Sequence, residues 1–471
     1  MFSNVPTTCR VTSCAAVIMM IAASSLPAQE SSKQASIRIG GRLELFVDRH
    51  LVDTMKNVDF RMHEPCQQPL PQNPLPISYT TVIKDGEVYR AYYRDYVPGY
   101  EGPQADGNPG EITCYAESRD GREWTFPDLG VTDVKSARGG NVILAGASPC
   151  SHNFSPFLDA RPGVKPDTRF KALAGTYPGG GLYAFTSADG VRWTKMQAPP
   201  VIQSRGFAFD SQNVSFWSEV ESCYVCYFRT WATPHSEWDT LRSISRVTSD
   251  DFVSWSRPVA MNANLPGEHL YVSQTHPYFR APHIYVALPT RFVPERGEST
   301  DILFMATRAG AYRYDRLFTE AFLRPGLDPA RWGNRSNFVA LNVVPTGPTE
   351  MSIYHRSGHR YVLRTDGFVS VRAGAAQGEL LTRPVTFTGS ALYVNFSTSA
   401  AGGLQVEVQD ARGTPLPGFT LSDCRAIVGD GIKQRVEWKG APNLNEVSRN
   451  AVRLRFVMRE CDLYSVQFCS E

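Results

Sequence analysis

Acidic side chains at the heads of apolar strands are the residues of this sequence best placed to do chemistry. Asp210 stands in Phe209-Asp-Ser-Gln-Asn-Val-Ser-Phe-Trp217, where a polar cluster of Asp210, Ser211, Gln212 and Asn213 precedes an apolar strand. Glu350 stands in Thr346-Gly-Pro-Thr-Glu350, directly ahead of Met351-Ser-Ile-Tyr354. Two carboxyl groups brought together do general acid and base work, one giving a proton while the other takes one or attacks. His152 and His276 occupy comparable strand heads, and Asn153, Gln212, Gln274, Arg291 and Arg335 offer hydrogen bonds to hydroxyl or anionic groups. Trp231, which shares the stretch from Thr230 to Trp238 with a second indole, offers a flat apolar face. Each residue also has a plainer reading. Asp210 could cap its own turn, Glu350 could pair with an arginine, the histidines could be buried and satisfied, and Arg335 could brace the loop Trp332-Gly-Asn-Arg335.

Other chemistries find less support. Among nine histidines there is no HExxH, and Cys223 and Cys226 lie in a strand-like stretch that points residues three apart to opposite faces. No metal and no cofactor is therefore expected. Lys and Arg number 48 against 46 Asp and Glu, without a basic stripe, so nucleic acid is not an expected partner. Before Glu30 the only charge is Arg10, an apolar run extends from Cys14 to Leu26, and Leu26-Pro-Ala28 offers a cleavage site. Residues 1 to 28 thus read as an export signal, too short for stable membrane insertion, leading to a periplasmic or extracellular protein. Cys9 and Cys14 fall inside it, and an exported chain could oxidise some of the other eight cysteines. The sequence leaves the oligomeric state unknown.

The elements that must position these side chains form a repeat. Ser118-Arg-Asp-Gly-Arg-Glu-Trp124 recurs as Ser187-Ala-Asp-Gly-Val-Arg-Trp193, then as Ser249-Asp-Asp-Phe-Val-Ser-Trp255 and, worn, as Arg308-Ala-Gly-Ala-Tyr-Arg-Tyr314, with aromatic positions 69, 62 and 59 residues apart. Each copy follows a short apolar alternation, so the turn joins two strands and its acid, expected at Asp120, Asp189 and Asp250, accepts backbone N–H bonds. Upstream hairpins recur as well, and a fifth begins at Glu350. Such a period with several strands per unit predicts an all-β chain with a five-bladed β-propeller over residues 37–366, residues 37–65 closing the ring. Beyond Asp366 the alternating runs Leu392 to Phe396, Leu404 to Val408 and Val452 to Val457 predict a β-sandwich over 367–471 that stabilises the propeller without adding catalytic residues.

The SxDGxxW turns, the five hairpins, Phe209 to Trp217 and the Leu363-Arg-Thr-Asp-Gly-Phe-Val-Ser370 transition resemble secreted bacterial members of the five-bladed propeller superfamily of glycoside hydrolase families 32 and 43. That resemblance implies a funnel where carboxylates of the innermost strands hydrolyse a glycosidic bond in a poly- or oligosaccharide. The sequence has neither WMNDPNG nor RDP, so the family's catalytic triad does not carry over residue by residue. Selection by strand position leaves Asp210 and Glu350 as the expected pair, with separations of about 5 Å for retention or roughly 6.5 to 9.5 Å for inversion. The other reading is a non-catalytic carbohydrate-binding propeller.

Overall fold

The structure is a computed structural model that describes residues 36–204, 208–231, 241–440 and 442–470. The expected export signal, its two cysteines and Trp238 lie outside these residues. Strands make up nearly all the regular structure, and the helices among the described residues are single 3-10 turns. No described helix is long and apolar enough to cross a membrane.

Five antiparallel sheets follow one another along the chain. The first contains strands Thr81–Asp85, Val88–Tyr96, Glu111–Ser118 and Val142–Leu144, the second Ser155–Leu158, Phe170–Thr176, Gly181–Ser187 and Thr194–Lys195. The third contains Val214–Ser218, Cys223–Trp231, Arg242–Ser249 and Val259–Ala260. In the fourth, His276–Tyr278, Ala281–Ala287 and Met305–Arg308 pair in order, and a separate three-stranded sheet takes His269–Leu270 from just upstream and Thr290–Val293 and Ser299–Ile302 from between its last two strands. The fifth begins with Val344–Pro345, Glu350–Tyr354 and Arg360–Arg364, and its fourth strand is Cys66–Gln67 from far upstream, paired with Tyr361 and Val362. Each sheet's first strand lies against the next sheet's first strand from the first through the fourth, and that of the fifth lies against that of the first.

The repeated turn has a clear physical basis. In the first copy Ser118 Oγ accepts from the N–H of Gly121, and Asp120 Oδ1 accepts from those of Arg122 and Glu123. Trp124 packs edge-on against Tyr354 of the fifth sheet at 5.6 Å, and Tyr354 Oη donates to Gly121 O at 2.8 Å. Gly121 has φ of +70°, and a Cβ there would lie 2.7 Å from Thr346, so both conformation and space require glycine. In the third copy the acid that accepts is Asp251, not the expected Asp250, because the turn needs its carboxylate two residues after the serine. Burial raises the Asp251 carboxyl, and the N–H groups of Ser254 and Val253 together with the Ser254 and Ser249 hydroxyls outweigh it, holding the group at about 2.

Residues 37–62 depart from expectation. Their strands Ile37–Gly40, Glu44–Leu45, Val52–Lys56 and Val58–Met62 pair with C-terminal strands and complete one ten-stranded sheet with Val369–Ala373, Gly378–Thr382, Val385–Phe387, Ala391–Asp410, Asp430–Arg435 and Val452–Cys469. Only Cys66–Gln67 joins the five-sheet array. Side-chain alternation explains why residues 43–47 serve two cores: Leu43, Leu45 and Val47 pack with Ile284 and Val286 of the fourth sheet, whereas Phe46 turns into the core of the ten-stranded sheet. The register breaks at Asn395/Phe396 and Thr398/Gly403 bend the two longest strands. All eight cysteines from Cys66 to Cys469 are free.

Candidate functional site

In an antiparallel meander the entry of the first strand and the connection from second to third lie at one end. The first-to-second turn and the SxDGxxW turn lie at the other. The opening strands run alike, as the parallel bridge between Thr81 and Leu341 shows. At the entry end, four of the five opening strands are preceded two residues earlier by a non-glycine residue with positive φ: Tyr79 at 50°, Asn153 at 50°, Gln274 at 48° and Asn342 at 78°. Such residues cost about 1–3 kcal/mol each and aim side chains that a regular strand would point elsewhere.

Side chains from all five sheets and their connections meet here in a continuous chain of contacts. Arg94 ends the second strand of the first sheet, its Nη1 donating to Asn153 Oδ1 at 3.1 Å and lying 2.9 Å from His152 Nδ1 and 3.7 Å from Glu111 Oε1. His152 Nδ1 in turn lies 2.9 Å from Glu111 Oε2, both side chains being about 1% exposed. Asn153 Nδ2 donates to the Asp210 carbonyl at 3.0 Å, and His152 Nε2 lies 3.4 Å from the same oxygen. These contacts seat the Asp210 backbone. The Asp210 carboxylate faces Arg229, whose Nη2 is 2.5 Å from Oδ1, and 29% of its side chain stays accessible. Burial pushes this carboxyl above the ordinary carboxylate range, Arg229 opposes the rise, and the charge of Asp106 adds to it.

The chain of contacts continues through aromatics. Arg229 and Arg242 each place the guanidinium carbon 5.1 Å from the Trp231 ring, and Arg242 is also 5.3 Å from Tyr271 and 4.7 Å from Phe292. Tyr271 packs on Phe338 at 5.5 Å and Phe338 on Tyr79 at 5.6 Å. Arg94 lies 4.7 Å over the Tyr79 ring and completes the circuit. Arg335 lies near Tyr271, which with Tyr79 and Asp106 pushes its guanidinium above the usual range.

Beneath it lies a brace. Gln212 Nε2 donates to Thr81 Oγ1 at 2.8 Å and to Thr80 O at 3.3 Å, while Gln274 Nε2 donates to Gln212 Oε1 at 2.9 Å and Val339 O at 2.8 Å. Both amides are buried and join opening segments of different sheets. His276 has the same role, Nδ1 donating to Gln274 O at 2.8 Å and Nε2 accepting from the Val343 N–H at 3.0 Å. Burial lowers its pKa to about 4, so the ring is neutral. The substrate contacts expected of Gln212, Gln274 and His276 thus give way to structural ones, because their bonded polar atoms are spent on backbone and on one another at the heads of adjoining strands.

Two expected residues lie elsewhere. Glu350 begins the second strand of the fifth sheet, not the first, and this puts it at the turn end opposite Asp210. There it accepts from Arg122 Nη2 at 3.0 Å, Arg360 Nη1 at 3.1 Å and Thr346 Oγ1 at 3.0 Å. Burial raises the Glu350 carboxyl, but those donors outweigh it and hold the group below its usual range. The pairing of Asp210 with Glu350 has no geometric basis. Arg291 forks onto Asp301 at 3.0 and 2.5 Å in the inserted sheet, beside a cleft of about 930 Å³ that Phe292, Arg324 and Trp332 also line.

Asp106, Glu111 and His152 offer ligand atoms within 4.8 Å of one another, the spacing of a metal cradle. Arg94 Nη1 stands 2.9 Å from the same His152 nitrogen, and its fixed positive charge opposes a cation there. The three residues fit a hydrogen-bonded network better than a metal.

Arg94, Asp106, Glu111, Arg229, Arg242 and Tyr271 were not anticipated. One local signal was present: Tyr92-Tyr-Arg-Asp-Tyr96 and Tyr227-Phe-Arg-Thr-Trp231 share an aromatic-aromatic-arginine-x-aromatic pattern at the ends of equivalent strands.

No protein-family model matches the sequence, and comparison with curated protein sequences finds no relative. Similar solved structures include a glycoside hydrolase family 43 arabinoxylan arabinofuranohydrolase from Bacillus subtilis in complex with cellotetraose (13% identity, 90% of this chain and 97% of that one, TM-score 0.40). A Bombyx mori family 32 β-fructofuranosidase gives 10% identity, 87% and 95% coverage and a TM-score of 0.39. An N-acetylgalactosamine deacetylase from F. plautii gives 12% identity, 86% and 95% coverage and a TM-score of 0.42. At these identities and scores, the site is read from its own residues.

Proposed function

We propose that the five sheets close into a five-bladed propeller, packed on a sandwich-like curled sheet, and that the chain is an exported glycosidase-like hydrolase acting at the entry-end cluster. The observation that carries this reading is Asp210, a carboxyl kept high by burial yet still accessible, with a second acid, Asp106, close enough to repel it. A pair of acids in unlike surroundings divides the work of glycoside cleavage: the group with the higher pKa protonates the leaving oxygen, and the exposed one activates water or attacks. Asp210 takes the first role and Asp106 the second. His152 and Asn153 position Asp210 through its backbone, and the half-buried Trp231 ring offers an apolar edge for sugar C–H groups. Export rests on the apolar run between Cys14 and Leu26.

Purified protein screened on aryl glycosides and polysaccharides is expected to turn over at least one, and Asp210→Asn to lower kcat by about 10²–10⁴-fold. Saturable sugar binding without turnover across the whole panel would refute the hydrolase. It would favour a carbohydrate-binding propeller, a reading supported by Glu111, whose carboxylate is already engaged by His152 and Arg94.

A further inference from the structure

Among the described residues, five arginines stand around the entry-end cluster, Arg94, Arg229, Arg242, Arg335 and Arg356, with the acids Asp106, Glu111 and Asp210 beside them and Glu298 within electrostatic reach of Arg242. Arg94 and Arg229 have carboxylates within 4 Å. Among the described residues, Arg242, Arg335 and Arg356 have none. Arg242 approaches the Tyr271 ring at 5.3 Å, and the same tyrosine is the strongest electrostatic neighbour of Arg335, so two guanidinium groups without a carboxylate within 4 Å share one aromatic neighbour. The Arg356 guanidinium donates to the Ile77 carbonyl at 3.2 Å. Among the described residues, Arg242 Nε and Trp231 Nε1 are buried donors without an acceptor, while the acceptors left over, Asn213 Oδ1 and Gln274 Oε1, belong to the brace beneath. Burial and Arg229 hold Arg242 below its usual range, and burial, Arg335 and Arg94 do the same to Arg356.

We infer that the site takes an anionic saccharide, one bearing a carboxylate or sulfate ester that lies against Arg242 and Arg335. The inference rests on the carbohydrate reading above. An acidic oxygen group supplies the missing acceptors and charge, and guanidinium forks match carboxylate and sulfate geometry. A neutral sugar would leave like charges crowded and donors unmet.

The test is calorimetric binding to the full chain in two matched pairs: tetragalacturonate against its methyl ester, and a sulfated galactan tetrasaccharide against its desulfated form. At least one charged member is expected to bind at least about tenfold more tightly than its neutral counterpart, with the preference shrinking as salt rises. The pair that shows it identifies carboxylate or sulfate. Arg242→Gln and Arg335→Gln should each cut the preference to about threefold or less, with Arg242→Lys retaining part of it. Asp210→Asn should keep the preference while lowering kcat by about 10²–10⁴-fold, so failure of hydrolysis and failure of anion recognition are read separately. Equal binding within both pairs, no binding of any member, or a preference unchanged in both arginine variants would overturn the inference.

Discussion

Asp366 offers a direct measure of how firmly the five-sheet array and the ten-stranded sheet are joined. Its side chain is fully buried where the fifth sheet hands over to the C-terminal strands. Oδ1 accepts from Tyr278 Oη at 2.7 Å, and Oδ2 from Arg280 Nη1 at 2.6 Å, Asn395 Nδ2 at 3.0 Å and Ser465 Oγ at 2.8 Å. One carboxylate thus ties the fourth sheet to both long C-terminal strands. Asp366→Asn is the informative perturbation, because asparagine tolerates the local φ of 64° and the change falls on the carboxylate alone. The amide must turn its NH2 toward at least one of these four donors, and Arg280 loses its counter-charge. Breaking a buried ion pair costs about 3–5 kcal/mol. With a urea m-value of about 3 kcal/mol/M, the unfolding midpoint should fall by about 1 M or more. Tryptophan fluorescence, which reports both parts, and far-UV circular dichroism should move together. A midpoint within about 0.3 M of the parent, near 1 kcal/mol by the same m-value, would refute the idea that this carboxylate holds the two parts together.

Ending the chain near Asp366 should yield no soluble five-sheet array, because strands of residues 37–62 lose their partners; a well-folded truncation with an unchanged melting temperature would contradict this. Glu350→Gln should leave kcat within about twofold and cost no more than about 1 kcal/mol, since the pair with Arg122 is solvent-screened; a kcat loss of a hundredfold would restore Glu350 to the chemistry. His276, neutral when folded down to about 4, keeps its full contribution above 6.5, and the protein loses up to about 3 kcal/mol as pH falls from 6.5 to 4 because the unfolded chain takes up the proton first. His276→Gln should flatten that slope in pH-dependent melting, and an unchanged slope would count against it. Glu44 is depressed to about 2 by hydrogen bonds and charge from His283 and Arg308 that outweigh its burial, so its stabilisation holds above 4.5 and disappears as pH falls through 2. Glu44→Gln should abolish that lower step in acid titration of the native signal.

The repeated turns and most strands were legible in the residues because their causes are local. Ser-x-Asp-Gly satisfies its own backbone N–H groups, and period-two alternation follows from strand geometry whatever the neighbour. Asp210 was legible for the same reason, as a polar head on an apolar strand. Partner choice was not, since it depends on contacts between segments hundreds of residues apart. Residues 37–62 have the alternation of any strand, and only the arrival of Val369–Ala373, Gly378–Thr382 and Val452–Cys469 assigns them to the ten-stranded sheet, leaving Cys66–Gln67 for the fifth. Glu350 shows how one turn decides a role. Val344–Pro345 takes the opening position, so the acid six residues later falls at the opposite end of its sheet. Arg94, Glu111 and His152 are ordinary residues along the chain, and become one network because strand phase and the positive φ of Asn153 turn them toward a common point that only the packed sheets define.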